Sequence, residues 1–358
     1  MTATTHRDFG PDTEALDVAK AFKEQIRGKT ILVTGVNRGG IGFTTAQAFA
    51  SQAPAHLIIT GRNPAKIQES IDAMRSEYPD VDYRPLNLDL SSQKAVRAAA
   101  VQVLAWEDIP TIDIVVNSAG IMNLPERTLN EDGIEMHFGT NHIGHFLFVN
   151  LIMPKILAAA RKNARGATRV VNVTSLSPTV ARMRWSDMNF EVANKDLPEA
   201  ERPPYEMLRQ WGTVDVENKK YVPIEAYNQS KVANVLFSVG LNDRLYEQYG
   251  ILSFAVHPGI VWTESARYVD DATRATIRAF VERLGSKTLG AGSSTSLVAA
   301  MDASLGPPRK AAGGKDNLGV YLVDCQISDA AHPLAVSSSE AEKLWEKSEE
   351  LVGEKFRW

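Results

Sequence analysis

The chain has 358 residues, of which 44% are hydrophobic and 23% are charged, and its net charge is −4. This composition is that of a globular protein with a sizeable core, and it argues against disorder and against nucleic-acid binding. Cys325 is the single cysteine. One cysteine excludes an internal disulfide and a cysteine-based metal site, and it indicates a reducing compartment.

The N-terminal residues, 1–12, are polar and lack the apolar core of a signal peptide. The sequence contains no run of about 18 uncharged apolar residues, which a membrane helix would need. The longest candidate, 145–160, contains Pro154 and Lys155 and is interpreted as a buried helix. We therefore expect a cytoplasmic protein with no membrane segment and no nucleic-acid partner.

Short β-branched segments alternate with helical patterns along the chain. Val18, Ala19, Phe22 and Ile26 recur at helical spacing, which predicts an amphipathic helix over 15–26. The strands predicted after it are 30–34, 57–60, 112–116, 169–173 and 251–256, and the predicted helices are 46–51, 64–76, 91–105, 141–156 and 226–246. Such alternation indicates βαβ units with parallel strands. We predict an α/β fold of Rossmann type, a doubly wound parallel sheet with helices on both faces.

The predicted domain spans 28–358 and follows an N-terminal extension and helix at 1–27. A long polar insertion with several prolines and aromatic residues is predicted at 180–224. Its aromatic side chains could line a pocket for a bulky apolar substrate or pack the insertion on itself, and the sequence leaves both open. A substrate loop is predicted at 262–290, and small and polar residues predict loops at 285–292 and 306–315.

The first predicted strand runs into a glycine cluster that precedes a helix, with glycines at 35, 39, 40 and 42. A strand that turns sharply into a helix offers backbone N–H groups and the positive helix end to a pyrophosphate, and glycine permits close approach. The sequence therefore predicts a dinucleotide site. The second strand ends with Gly61-Arg62 rather than with the carboxylate usual for NAD. Arg62, with Arg38 as a second cation, suits a phosphate, so NADP(H) is predicted as the cofactor. The alternative is that Arg62 is merely exposed to solvent.

Tyr227 and Lys231 are four residues apart on a predicted helix, so both side chains can face one cleft. A free tyrosine has a pKa of about 10, and a neighbouring cation together with the positive nicotinamide can lower it toward neutrality. We expect Lys231 to have this effect on Tyr227. The alternative is an exposed pair of helix residues.

Together these motifs resemble the short-chain dehydrogenase/reductase family. The resemblance includes Thr34-Gly35, Asn141, Ser175, Tyr227-Asn-Gln-Ser-Lys231 and Val256-His-Pro-Gly-Ile-Val-Trp-Thr263. The last two segments resemble the retinol-dehydrogenase-like branch, and the long insertion and C-terminal pattern resemble fungal short-chain reductases of secondary metabolism. The glycine loop is one residue longer than the family pattern, which leaves Gly39 and Gly40 as alternatives for the phosphate contact.

The resemblance implies that Asn141, Ser175, Tyr227 and Lys231 are the catalytic residues. Tyr227 would exchange a proton with the substrate oxygen, and Ser175 would hydrogen-bond that oxygen. Lys231 would hold the nicotinamide ribose, and Asn141 would hold a water that relays protons. Ser177 stays an alternative to Ser175 on strand alternation alone. The cofactor-binding residues implied are Gly35, Asn37, Arg38, Gly40, Ile41, Gly42, Arg62, Asp89, Leu90, Asn117, Ala119, Gly120, Tyr227, Lys231, Pro258, Gly259, Ile260 and Thr263.

No metal is expected, because His142 and His145 have no acid or cysteine at ligand spacing and the family needs none. The expected function is NADP(H)-dependent interconversion of a carbonyl and an alcohol, with reduction of a bulky apolar ketone or aldehyde, polyketide-like or terpenoid. The alternatives are a non-catalytic NADP(H)-sensing protein and a sugar-nucleotide epimerase or dehydratase. The resemblance also implies a homodimer formed through the helices that contain 141–156 and 227–246.

Overall fold

The computed structural model describes residues 4–263, 285–309 and 316–358. An eight-stranded sheet lies at its centre, with strand order β3-β2-β1-β4-β5-β6-β7-β8. Neighbouring strands are parallel, except that β7 and β8 are antiparallel. The strands are β1 (Thr30–Val33), β2 (His56–Gly61), β3 (Asp82–Asn87), β4 (Ile114–Asn117), β5 (Arg169–Val173), β6 (Leu252–His257), β7 (Tyr321–Val323) and β8 (Gln326–Ile327). Most of the predicted substrate loop, 262–290, lies outside the described residues.

Helices connect the strands and cover the sheet. They are α1 (Ala15–Ala21), α2 (Lys23–Ile26), α3 (Ile41–Ala50), α4 (Pro64–Glu77), α5 (Gln93–Ala105), α6 (Met136–Phe138), α7 (Gly144–Leu151), α8 (Met153–Ala160), α9 (Tyr205–Gln210), α10 (Pro223–Tyr249), α11 (Leu289–Met301) and α12 (Ser338–Val352). A π-helical turn, Gly139–Ile143, joins α6 to α7. The amphipathic helix predicted over 15–26 is present as α1 and α2, which are separated at Phe22.

Two hydrophobic clusters lie on opposite faces of the sheet. In β1, Leu32 belongs to the cluster formed with α5, α7, α10 and α12, whereas Ile31 and Val33 belong to the cluster formed with α1, α3, α4 and α11. All residues of β1, β4 and β5 are buried. Strands buried on both faces read as continuous apolar runs, which is why the sequence shows them clearly. The predicted α/β fold with helices on both faces is confirmed.

Helix α11 begins inside a segment predicted as a loop. The side chain of Thr288 accepts a hydrogen bond from the N–H of Ala291 at 2.9 Å and caps the helix. A Cβ on Gly292 would lie 2.6 Å from Cγ2 of Val261 and 3.1 Å from Cγ2 of Ile41. The small residues that suggest a loop therefore let this helix pack closely against its neighbours, and the loop predicted at 285–292 is wrong beyond Thr288.

The N-terminal extension is bound along the sheet edge formed by β8. The backbone N–H and the hydroxyl of Thr5 both donate to the carboxylate of Asp302, at 2.6 Å each. Gln326 of β8 accepts from the hydroxyl of Thr4 at 2.6 Å and donates to the carbonyls of His6 and Phe9 at 3.0 and 2.8 Å. The extension is therefore part of the fold rather than a free tail.

Within the described part of the chain, no single helix is long and apolar enough to cross a membrane. The bent pair Met136–Leu151 and Met153–Ala160 passes the same test only when its two helices, which meet at 60°, are taken together. Phe146, Leu147 and Phe148 in this pair are fully buried in the core. The prediction of a buried helix over 145–160 agrees with this burial.

Candidate active site

A cavity of about 860 Å³ opens at the carboxyl ends of the parallel strands. It extends from the start of α3 to Tyr227 and Lys231 on α10. In the sheet, β1 lies between β2 and β4. The connection after β1 leads to one side, toward β2 and β3, whereas the connection after β3 leads back across β1 to β4, so the strand order reverses at this crevice. Ligands of open α/β sheets bind at such a switch point.

The glycine loop forms one end of the cavity. Gly35 has φ +71°, and a Cβ there would lie 2.5 Å from Cα of Ala119. A Cβ on Gly42 would lie 2.5 Å from the carbonyl oxygen of Gly35. Only glycine allows these approaches, so both positions depend on the missing side chain. Gly40 is the extended residue before α3, and the N-terminus of α3 faces the cavity through Ile41.

Most of the predicted cofactor residues line this one cavity. Three do not: Arg38 and Gly40 lie outside it, and Asn117 is buried within β4. The amide nitrogen of Asn117 donates to Oδ1 of Asn172 on the neighbouring strand at 2.8 Å. Its contact is therefore within the sheet. Those that line the cavity are Gly35, Asn37, Ile41, Gly42, Arg62, Asp89, Leu90, Ala119, Gly120, Tyr227, Lys231, Pro258, Gly259, Ile260 and Thr263.

Besides Nδ1 of His257, two polar atoms in the cavity wall have no hydrogen-bond partner among the described residues. These are Oδ1 of Asn37 and Oγ of Ser118, and both are buried. Buried polar atoms are costly unless they are paired. An elongated polar ligand that passes between the glycine loop and β4 would satisfy them, so the wall fits a dinucleotide.

The end of the cavity near β2 contains two side chains that the sequence analysis did not identify, Asn63 and Lys66. Asn63 caps α4, and its Oδ1 accepts from the N–H groups of Ala65 and Lys66 at 2.9 and 3.2 Å. The amino acid four residues before Lys66 is Arg62, so both cations lie at the start of α4. The i, i+4 spacing of these cations is the signal in the sequence that could have identified Lys66.

Tyr227 and Lys231 meet at the opposite end. The Nζ atom of Lys231 lies 5.7 Å from the centre of the Tyr227 ring and donates to the carbonyl of Val173 at 3.0 Å. A Cβ on Gly120 would lie 3.4 Å from this Nζ atom. Backbone of the loop after β4 therefore packs directly on the lysine.

Asn141 lies in the π-helical turn and is fully buried. Its Oδ1 accepts from the N–H of Ile121 at 2.8 Å, and its Nδ2 donates to the carbonyl of Ile121 at 3.0 Å and to Ser230 at 2.9 Å. The side chain does not line the cavity. It fixes the loop after β4 against α10, beside Lys231.

Ser175 lines the cavity and Ser177 does not. The hydroxyl of Ser175 donates to Oγ of Ser177 at 2.6 Å, and Ser177 donates to Oδ1 of Asn228 at 2.6 Å. The N–H of Ser177 donates to Oγ of Ser175 at 3.0 Å. Ser177 and Asn228 thus orient the hydroxyl of Ser175, which favours Ser175 over Ser177 as the serine that meets a ligand.

The pKa of Tyr227 is raised to about 12 because burial penalises the phenolate, and a hydrogen bond with Ser175 only partly offsets this. Burial also lowers the pKa of Lys231 to about 8. The expected lowering of the tyrosine pKa by Lys231 together with a bound nicotinamide stays a prediction. The loss of water around the phenol outweighs the nearby ammonium, whose proton donates to the carbonyl of Val173.

Three histidines near the site have lowered pKa values, so they are neutral at pH 7. Burial lowers the pKa of His142 to about 3 and of His145 to about 4. His142 hydrogen-bonds Ser348 of α12 at 2.8 Å, and His145 hydrogen-bonds Thr34 at 2.9 Å. Burial also lowers the pKa of His257, which lines the cavity, to about 4.

The insertion packs largely on itself. Phe190 meets Tyr221 edge to face at 5.8 Å, and the hydroxyl of Tyr221 donates to the carbonyl of Leu124 at 2.8 Å. The buried guanidinium of Arg184 donates to Asp187 at 2.7 Å. Within the described residues, no member of 180–224 lines the cavity. Of the two readings left open by the sequence, packing of the aromatic residues within the protein agrees with these contacts.

Comparison with known proteins agrees with this geometry. A family model described as short chain dehydrogenase matches residues 29–187. The chain is 37% identical over 261 residues to Oxidoreductase fscI of Fusarium equiseti, with 73% of this chain and 98% of that protein covered. It is 32% identical to Retinol dehydrogenase 13 of Homo sapiens, with 92% of this chain and 86% of the relative covered. The chain belongs to the short-chain dehydrogenase family, an oxidoreductase family that uses nicotinamide dinucleotides, and the predicted resemblance to its retinol-dehydrogenase-like and fungal members is confirmed.

Solved structures share the fold. An uncharacterized protein from Mycobacterium paratuberculosis is 26% identical, has a TM-score of 0.60, and covers 93% of this chain and 96% of its own. The NADPH bound carbonyl reductase from chicken fatty liver is 20% identical, has a TM-score of 0.54, and covers 84% of this chain and 93% of its own. At this identity the second likeness concerns the fold alone.

Proposed function

We propose that the protein is an NADP(H)-dependent carbonyl reductase that converts a bulky apolar ketone or aldehyde into an alcohol. The observation that carries the proposal is the cavity in which two cations at the start of α4 lie at one end and Ser175, Tyr227 and Lys231 lie at the other. This arrangement matches a dinucleotide laid across the strand ends, with its phosphates at the glycine loop.

The preference for a phosphorylated cofactor rests on the cations. Arg62 directly follows β2, at the position where an NAD site usually has a carboxylate for the ribose hydroxyls. Lys66 lies in the first turn of α4, so its charge and the positive end of that helix point to the same region. A planar guanidinium and an ammonium together suit a ribose phosphate.

The raised pKa of Tyr227 suits the reductive reaction, whereas the ratio of reduced to oxidised cofactor sets the net direction. A phenol with a pKa of about 12 is fully protonated at neutral pH, so it is ready to donate its proton to a carbonyl oxygen. Ser175 would turn its hydroxyl proton from Ser177 to the same oxygen and stabilise the negative charge that develops on it. Lys231 would bind the ribose next to Tyr227. A bound nicotinamide supplies the hydride for the carbonyl carbon.

The substrate class rests on the side chains near Ser175. Leu176, which follows it, is 50% exposed, and Trp262 in the cavity wall is 41% exposed. An apolar ligand that reaches Ser175 could contact both side chains, as ligand pockets are lined mostly by apolar and aromatic groups. The relatives named retinol dehydrogenases support the same class, since retinol is a bulky apolar alcohol.

The test is the consumption of NADPH and of NADH in the presence of a panel of bulky ketones and aldehydes. We expect turnover with NADPH, its loss by at least about 100-fold in Tyr227→Phe, and unchanged NADPH binding in that variant. Arg62→Ala should weaken NADPH binding by about 10- to 100-fold and leave NADH binding nearly unchanged. Binding without turnover across the panel would favour a sensing protein, and turnover without net cofactor oxidation would favour an epimerase or dehydratase.

A further inference from the structure

The segment after β6, Pro258 to Val261, forms the cavity wall next to Tyr227 and Lys231. It contains Gly259, which has φ +84°. Such a segment has no regular secondary structure of its own to hold its conformation. Its position must therefore come from contacts with other parts of the chain.

Lys287 makes three contacts with this segment. Its N–H donates to the carbonyl of Ile260 at 2.9 Å, and it forms a parallel β-bridge with Val261. Its aliphatic stem lies over Gly259, because a Cβ on that glycine would be 2.6 Å from both Cδ and Cε of Lys287. The backbone and the side chain of one residue thus cover the segment along its length.

The ammonium of Lys287 is fixed in turn by Asp324. Nζ lies 2.5 Å from Oδ1 of Asp324, and the lysine side chain is only 12% exposed. Asp324 and Cys325 have φ values of 49° and 63° and form the two-residue turn between β7 and β8. A turn with two left-handed residues in a hairpin is rigid and is tolerated by Asp and Asn. The carboxylate is therefore presented from a fixed point of the sheet.

We propose that the Lys287–Asp324 ion pair is a positioning clamp for the nicotinamide half of the cofactor. It ties the Pro258–Val261 segment to the β7–β8 turn and keeps that wall at a fixed distance from Tyr227. The inference rests on the proposed function, because it assumes that the nicotinamide lies at the Tyr227 end of the cavity. Lys287 and Asp324 themselves do not line the cavity, so they act through the backbone that they hold.

The test compares the binding of NADPH with that of adenosine 2′,5′-bisphosphate, which contains only the adenine half of the cofactor. Lys287→Met keeps the stem over Gly259 and removes the charge. We expect this variant to bind NADPH about 3- to 10-fold more weakly and to bind the bisphosphate as the unmodified protein does. Lys287→Arg should restore most of the NADPH affinity.

A double-mutant comparison isolates the ion pair. Asp324→Asn preserves a residue that tolerates positive φ, and we expect it to weaken NADPH binding as Lys287→Met does. The double variant should be no weaker than either single variant, because both remove the same contact. Lys347→Met is the matched control, since it removes a lysine–glutamate pair of 2.8 Å on α12, away from the cavity, and should change neither affinity.

The outcomes separate the two proposals. If the unmodified protein binds neither NADPH nor NADH, the proposed function fails and the clamp fails with it. If it binds NADPH but Lys287→Met binds it equally well, the clamp alone is refuted. Equal weakening of NADPH and the bisphosphate would show a general structural role and would also refute the clamp, as would additive losses in the double variant.

Discussion

At the scale of single residues, the main unit of the site is the hydrogen-bond chain that ends at Ser175. Sequence alternation could not separate Ser175 from Ser177, because both follow the same strand two positions apart. The structure separates them by their partners. Ser177 is buried between Ser175 and Asn228, whereas Ser175 lines the cavity.

The hydrogen-bond chain from Asn228 through Ser177 to Ser175 predicts different losses of activity when each serine is replaced by alanine. Ser177→Ala removes the hydroxyl's two hydrogen bonds, with Ser175 and with Asn228, that orient Ser175, so we expect kcat of carbonyl reduction to fall by about 3- to 10-fold with little change in the KM for NADPH. Ser175→Ala should reduce kcat by about 100-fold or more. Thr179→Ala is the control, because its hydroxyl only donates to the carbonyl of Leu176 at 2.8 Å in an exposed turn. Equal losses for the two serine variants would instead assign the catalytic contact to Ser177.

The sequence predicts residue types and positions well but not the electrostatic balance among them. Tyr227 and Lys231 both line the predicted site. The direction of the tyrosine pKa depends on how completely water is excluded around the phenol, and no local pattern encodes this. The ion pair between Lys287 and Asp324 could not be predicted either, because the two residues are 37 positions apart and neither belongs to a recognised motif.

At the scale of elements, α7 and the π-helical turn before it are fastened by neutral histidines. His142 bonds Ser348 on α12 and His145 bonds Thr34 after β1, so the turn is joined to two distant elements. An imidazolium in either position would be charged and buried. The packing of these elements therefore requires that both rings stay neutral.

These histidines predict a loss of stability in mild acid. Both have folded pKa values, about 3 and about 4, that lie below the ordinary 6.5, so the unfolded chain takes up protons first as the pH falls. The stability that they contribute is present above about pH 6.5 and is lost as the pH falls toward their folded values. At pH 5 each should cost about 2 kcal/mol of unfolding free energy.

Urea unfolding at pH 7 and pH 5, followed by circular dichroism, measures this cost. His142→Gln should lower the stability at pH 7 but should reduce the difference between the two pH values by about 2 kcal/mol. An identical pH dependence in His142→Gln and the unmodified protein would contradict the prediction.

The elements that the sequence predicts best are those with apolar runs buried on both faces, such as β1 and β5. The sequence patterns do not predict the elements whose formation depends on contacts with distant parts of the chain. The strands β7 and β8 have three and two residues, which are too few to show the two-residue alternation of apolar and polar side chains. Helix α11 is composed largely of small residues, and its identity depends on the close packing that those residues permit.

At the scale of the whole molecule, the chain encloses the two helices through which the family resemblance implies dimerisation. Residues 144–150 of α7 and 228–242 of α10 are all buried within one chain. Helix α12 covers them with Trp345, whose ring contacts Phe146 and Phe237 at 5.0 and 6.0 Å. Arg244 of α10 lies 4.1 Å over the same indole. In the part of the chain that the structure describes, these two stretches therefore expose no apolar side chain to a second subunit.

We therefore expect a monomer of 39.3 kDa in solution, which light scattering after size-exclusion chromatography would measure. Trp345→Ala should destabilise the protein by about 3–5 kcal/mol and should promote self-association, because it uncovers the apolar surface of α10. Glu350→Ala on the same helix is the control and should remain monomeric. A stable dimer of the unmodified protein with residues of α10 at its interface would overturn this expectation.

The contacts of the N-terminal extension also affect whether separate molecules can associate by pairing the edges of their sheets. An unpaired strand margin is a template for further strands. Among the described strands, one margin is β3, where Pro85 has no N–H to offer a neighbour. At the other margin, the side-chain amide of Gln326 of β8 hydrogen-bonds Thr4, His6 and Phe9 and so holds the N-terminal segment beside this strand. The chain thus protects the two ends of its sheet by different means, and trimming the first dozen residues would leave one of them open to aggregation.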